Sequence, residues 1–106
     1  MIYNKLVRDR IPEIIRTKGS ECSTRILSDE EYKDALDKKL GEELAEYLGS
    51  HDPEELADLL EVIYACAALQ SLSPADLERI RAEKADKRGS FADKILLIET
   101  SPNSAS

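Results

Sequence analysis

Two helix signals stand almost back to back in this chain, and the shortness of the gap between them constrains the fold more than anything else in it. The stretch "EELAEYLGSHDPEELAD", Glu42 to Asp58, closes one helical pattern and opens the next across the break GSHDP. The first pattern begins at Ser28, where S-D-E-E offers an N-cap serine with Glu31 three residues on, a capping box, and it runs to Gly49. Asp52, Pro53 and Glu55 repeat the device with an N-cap, a proline at the first helical position and an acid at the third, opening a helix to about Ser71. A break this short between long helices leaves room for an antiparallel hairpin and little else.

The rest of the chain adds shorter elements. Ile2 to Val7 favours a strand, Pro12 suits the first turn of a short helix to about Lys18 before Gly19, and "STRILS" resembles another strand. A third helix starts at Ser73 and Pro74 and stops at Gly89; "KILLIE" then predicts a last strand, and "TSPNSAS" a disordered tail over residues 100–106. The expectation is one mainly α domain over residues 1–99: a helical hairpin, a third helix, and a few short strands at the N- and C-terminal ends. A chain of 106 residues often completes its core with a second copy, here giving a four-helix-type bundle by oligomerisation.

Composition narrows the partners. The formal net charge of -7 opposes binding to a nucleic-acid polymer or an anionic membrane, because phosphate contacts need a basic face. A phosphate ligand would need an offsetting cation. Cys22 and Cys66 are too few for a disulfide framework or a thiolate zinc site, which favours a reducing compartment, and no apolar run approaches the ~18 residues of a membrane span. Cytoplasmic location is the expectation.

On a helical wheel the apolar face of the first long helix is Tyr32, Leu36, Leu40, Leu44 and Leu48. Glu43 projects about 60° to one side of its centre, and Glu46 about 60° further round on the same flank. In the second helix the face is Leu56, Leu59, Leu60, Ile63 and Ala67; Glu55 points between Val62 and Cys66, and Asp58 is the next step out. Glu42, Glu54 and Glu61 look away. Equal offsets on antiparallel neighbours fall on one side, so Glu43, Glu46, Glu55 and Asp58 are expected to converge near the turn. The plain alternative is a solvated acidic surface helped by helix-terminus effects, with Glu55 partly a capping residue. Against it stands the cost of gathering four acids beside apolar stripes unless a cation sits among them. The ligands are all oxygen, and the lone histidine, His51, falls in the loop, so Mg²⁺ or Mn²⁺ suits better than a histidine-bound metal. Lys84, Lys87 and Arg88 share one face at the end of the third helix and are candidate phosphate contacts; Lys5 and Arg8, near the N-terminus, rank behind them.

With these residues in view the chain resembles the all-α nucleoside triphosphate pyrophosphohydrolase superfamily, the MazG and phosphoribosyl-ATP pyrophosphohydrolase group. That group's signature, E-E-x-x-E followed by E-x-x-D, is matched by Glu42, Glu43 and Glu46, then Glu55 and Asp58. "NKLVRDRIPEII", "TRILSDEEY" and "EKADKRGSF" extend the likeness to a short MazG-like subgroup over most of Met1 to Glu99. The resemblance implies Mg²⁺ held by Glu43, Glu46, Glu55 and Asp58, dimers or tetramers, and hydrolysis of a nucleoside triphosphate to the monophosphate and pyrophosphate, on noncanonical nucleotides in a house-cleaning role. Glu46 is the candidate general base by position. The spacer between the two motifs is shorter than in other branches, which leaves the base pocket undefined. The neighbouring alternatives are phosphoribosyl-ATP pyrophosphohydrolase proper and a non-catalytic helical dimerisation or regulatory protein on the same scaffold.

Overall fold

The computed structural model describes residues 3–102. Among them are four α-helices and no strand: α1 Ile11–Thr17, α2 Asp29–Ser50, α3 Pro53–Leu69 and α4 Pro74–Arg88. α2 and α3 form the expected hairpin and α4 packs against α3. No described helix is by itself long and apolar enough to cross a membrane.

Local chemistry sets the helix ends. Ser28 Oγ accepts from the Glu31 backbone N–H while the Glu31 carboxylate accepts from the Ser28 N–H, the capping box read from sequence. Ser73 and Asp76 form a second box at the start of α4. The break between α2 and α3 is shorter than GSHDP suggests. Gly49 and Ser50 remain helical, and it is His51, at φ 56°, that takes the left-handed position and returns its N–H to the Tyr47 carbonyl. Ser71, at φ 60°, ends α3 with a Schellman pair of bonds, its own N–H to Ala68 and that of Leu72 to Ala67. The chain turns through 103° between α3 and α4.

The buried side of the hairpin is rotated from the one the leucines suggest. On α2 the residues removed from solvent are Tyr32, Leu36, Leu40, Glu43 and Tyr47, with Leu36 2% and Glu43 7% exposed, whereas Leu44 and Leu48 are open. On α3 Glu55, Leu59, Val62 and Cys66 form the corresponding row and Ala67 is buried, while Leu56 and Leu60 are open. Two leucines on α2, Leu44 and Leu48, and three on α3, Leu56, Leu60 and Leu69, therefore lie outside the intrachain core.

The strands expected near the chain ends do not form among the described residues. Tyr3–Val7, "STRILS" and "KILLIE" lie outside any helix or ladder; Ile2 and residues 103–106 of the expected tail lie outside the described residues. A strand owes its stability to a pairing neighbour, and none of these segments has one. Several of their apolar side chains are bare as a result: Ile26 is 95% exposed, and Ile95, Leu96, Leu97 and Ile98 between 75% and 85%.

Candidate metal centre

The hairpin turn places two short acidic phrases against each other. Glu43 lies on the buried row of α2, Glu55 in the first turn of α3, and Asp58 one turn further along α3. One carboxylate oxygen from each of the three lies within 4.8 Å of the others.

Glu55 is available for this cluster because its capping duty is taken by another residue. At the start of α3 the Asp52 carboxylate accepts from the Glu54 N–H at 3.0 Å, and the Asp52 N–H donates to Ser50 Oγ at 3.1 Å. The reciprocal bond of a capping box, which the sequence assigns in part to Glu55, is therefore made by a serine on the preceding helix. The freed carboxylate turns toward Glu43 and Asp58, where the positive end of the α3 dipole also favours it.

Two cations offset part of the charge. Lys39 Nζ, one turn before Glu43, stands 3.5 Å from Glu43 Oε1 and 3.5 Å from Glu42 Oε2. The N-terminal segment comes over α3, and Arg8 donates from Nη2 to Asp58 Oδ1 at 2.6 Å. Neither reaches the centre of the cluster: Glu43 Oε2 and Glu55 Oε2 are buried without a hydrogen-bond partner. A buried, unpaired carboxylate oxygen is costly, and two of them facing a third acid is the arrangement a cation relieves. The Glu55 carboxyl is raised above its ordinary 4.5, first by loss of water and then by Glu46, through charge and hydrogen bonding, with Asp58 and Glu43 adding repulsion.

The four acids read from the sequence thus divide. Glu43, Glu55 and Asp58 come together, and Glu46 is exposed beside them, acting on Glu55 from the outer edge. Arg8, a candidate phosphate contact, is engaged with Asp58. Lys5 stands over the Tyr3 ring, 5.8 Å from its centroid. Lys84, Lys87 and Arg88 are exposed on the last turns of α4 and form no ion pair among the described residues, so the structure does not bring them to the acids. His51 is the exposed turn residue expected of it, edge-on to Tyr47 with ring centroids 5.0 Å apart. Lys39 was not singled out by the sequence reading, although its i, i+4 spacing to Glu43 is the signal that finds it.

The donor set is all oxygen: three carboxylates, one of them on the buried Glu43, beside the exposed Glu46. Such a set could hold a hard cation.

Comparison with known proteins narrows the chemistry no further. No protein-family model matches the chain, and no solved structure matches it. An uncharacterised protein of Mycolicibacterium smegmatis is 62% identical over 42 residues, which is 40% of this chain and 43% of that protein. The match thus spans less than half of the relative's length.

Proposed function

We propose that the chain is a Mg²⁺-dependent nucleoside triphosphate pyrophosphohydrolase, releasing the monophosphate and pyrophosphate, with Mn²⁺ able to replace Mg²⁺. The observation that carries this reading is the gathering of Glu43, Glu55 and Asp58, one carboxylate oxygen of each within 4.8 Å of the others, in a group where Glu43 Oε2 and Glu55 Oε2 are buried without a hydrogen-bond partner. Carboxylate clusters of this kind hold a metal that is then shared with substrate phosphates. The sequence resemblance supplies the substrate class, and the chain's acidity agrees with it, since a polyanion needs a bridging cation to approach.

In this reading Glu43, Glu55 and Asp58 hold the metal and Glu46 completes its shell or accepts a proton from the attacking water. When bound, the metal neutralises phosphate charge and lowers the pKa of a coordinated water. Lys39 offsets part of the charge on the Glu43 side of the cluster. Arg8 is positioned to exchange Asp58 for a phosphate oxygen, and Lys84, Lys87 and Arg88 are further candidates for contact with the triphosphate. House-cleaning of noncanonical nucleotides in the cytoplasm is the biological role that fits this activity.

The test is pyrophosphate release from a panel of canonical and modified nucleoside triphosphates with Mg²⁺. Turnover on at least one, abolished in Glu43→Ala, supports the reading. No turnover on any, or undiminished turnover in that variant, refutes it.

A further inference from the structure

The chain ahead of the hairpin is held to it by a single polar bond. α1 packs on none of the other three helices. Among the described residues, the pair of Arg8 Nη2 and Asp58 Oδ1, 2.6 Å apart, is the only hydrogen bond or ion pair that joins residues 3–22 to α2, α3 or α4. Leu6 is the one half-buried residue of the segment 3–10, whose others are exposed. The backbone there is shaped by local features, the Arg8 carbonyl accepting from the Ile11 N–H and Asn4 standing at φ 45°. The segment is in effect a strap fastened at Arg8.

The acid to which it is fastened is no ordinary surface partner. Asp58 belongs to the trio whose carboxylate oxygens gather within 4.8 Å, and in that trio Glu43 is 7% exposed with Oε2 unpaired. Lys39 offsets the trio's charge from α2, and Arg8 offsets it from the N-terminal segment. A dication among the three acids would share the Asp58 carboxylate with the guanidinium. Two positive charges on one acceptor weaken each other's hold, and the trio's demand for an outside cation falls once the ion supplies two charges. Arg8 is the partner that yields: its side chain is 54% exposed and that of Asp58 40%, so water replaces their bond at little cost.

We propose that the N-terminal segment is a strap latched on the candidate metal centre, and that a divalent cation taken up by Glu43, Glu55 and Asp58 releases it. The inference rests on the metal reading and adds a moving part to it. The coupling is reciprocal: the factor by which Arg8 weakens the ion is the factor by which the ion weakens the latch. An exposed ion pair favours the closed arrangement by up to about fivefold, so its loss raises the population of the open strap by up to that factor. Release uncovers the solvent side of Asp58 and frees Arg8 together with Lys5 and Arg10 of the same segment.

The test is cleavage of the Lys5–Leu6 bond in the full chain by a lysine-specific serine protease that needs no metal, followed by mass spectrometry. Proteolysis of a transiently opened segment tracks the population of the open form. Saturating Mg²⁺ is expected to speed this cut in the wild type by up to about fivefold over chelator, while a synthetic peptide of residues 1–10 is cut at one rate in both buffers. Arg8→Ala keeps the backbone bond of its turn and is expected to be cut at the fast rate in chelator, with nothing gained from Mg²⁺. Asp58→Asn, which removes the latch from the other side, should also be cut fast in chelator, and both variants should keep the helical circular dichroism of the wild type. Equal cutting of wild type and both variants in chelator would overturn the latch. Mg²⁺ that binds by calorimetry without speeding the wild-type cut would overturn the release, and in either case the metal reading stands. No binding of Mg²⁺ by calorimetry removes the metal reading and the release together, a result that the other two cannot be mistaken for.

Discussion

Replacing Glu43 by glutamine has opposite effects with and without metal. The side chain keeps its shape, so the buried row of α2 is not hollowed out. In the metal-free chain Oε2, buried and without a partner, gives way to an oxygen or an N–H₂ group, and the latter can donate to the carboxylates of Glu55 or Asp58. Lys39 loses the Glu43 charge but keeps Glu42 at 3.5 Å. An orphaned buried polar group costs about 1–3 kcal/mol, so the metal-free variant is expected to be the more stable by roughly that amount. For a domain of this size each kcal/mol moves the midpoint by about 4–8 °C. In Mg²⁺ at ~100 times its dissociation constant the wild type gains about 2.7 kcal/mol, while the variant, short of a ligand, gains little. Thermal melts followed by circular dichroism, with chelator and with Mg²⁺, should therefore cross over. A variant that is less stable than wild type without metal, and that responds to Mg²⁺ as wild type does, would falsify the assignment of Glu43 as a ligand strained in the free chain.

Three further outcomes follow from the same geometry. Arg8→Ala removes the cation that holds Asp58 Oδ1, so Mn²⁺ affinity read by electron paramagnetic resonance should rise by up to about fivefold, the ceiling set by an exposed ion pair of ~1 kcal/mol; weaker or unchanged binding contradicts the competition. Because the Glu55 carboxyl titrates above 4.5 in the free protein, Mg²⁺ binding just above that pH should expel a proton, and the release should fade at higher pH where Glu55 is already ionised. Calorimetry in buffers of different ionisation enthalpy reads it, and its absence in wild type at every pH argues against Glu55 as a ligand. Glu31 is lowered from 4.5 to about 2, chiefly by its hydrogen bonds from Arg25 and then by the Ser28 cap. Its contribution is therefore complete above pH 4.5 and lost as pH falls toward 2. Glu31→Gln should be less stable at neutral pH and show a flatter acid limb in urea titrations, and an acid limb as steep as wild type would remove Glu31 from the account.

The parts of this fold that were legible in sequence are those decided within a few residues. Ser28 with Glu31, and Asp52 with Pro53, fix helix starts by bonds to their own turn, and the brevity of the break then forces the hairpin. The convergence of Glu43, Glu55 and Asp58 follows from those two facts and a helical period. The leucines misled because apolarity says that a residue seeks cover without saying from what: Leu44, Leu48, Leu56 and Leu60 belong to a surface the single chain does not bury. The terminal strands misled for a related reason, since extended propensity in "KILLIE" becomes a strand only beside a partner. Arg8 could be read as basic but not as the partner of an acid fifty residues away. Lys84, Lys87 and Arg88 were correctly placed on one helix end, but the 103° turn before α4 is a tertiary fact that no local pattern carries.

The nearness of Glu43 and Glu55 along the chain also bears on the order in which the molecule assembles. Loops of about ten residues close in ~10–100 ns, and these two acids are joined by a segment of that size whose turn, at His51 and Asp52, is fixed by local bonds. The site is thus formed by contacts of short sequence separation, the kind that appear early in folding. A cation that binds there can act on the folding transition state as well as on the finished fold. On the metal reading, refolding with Mg²⁺ is expected to be accelerated more than unfolding is slowed, the acids of the hairpin turn serving as part of the nucleus.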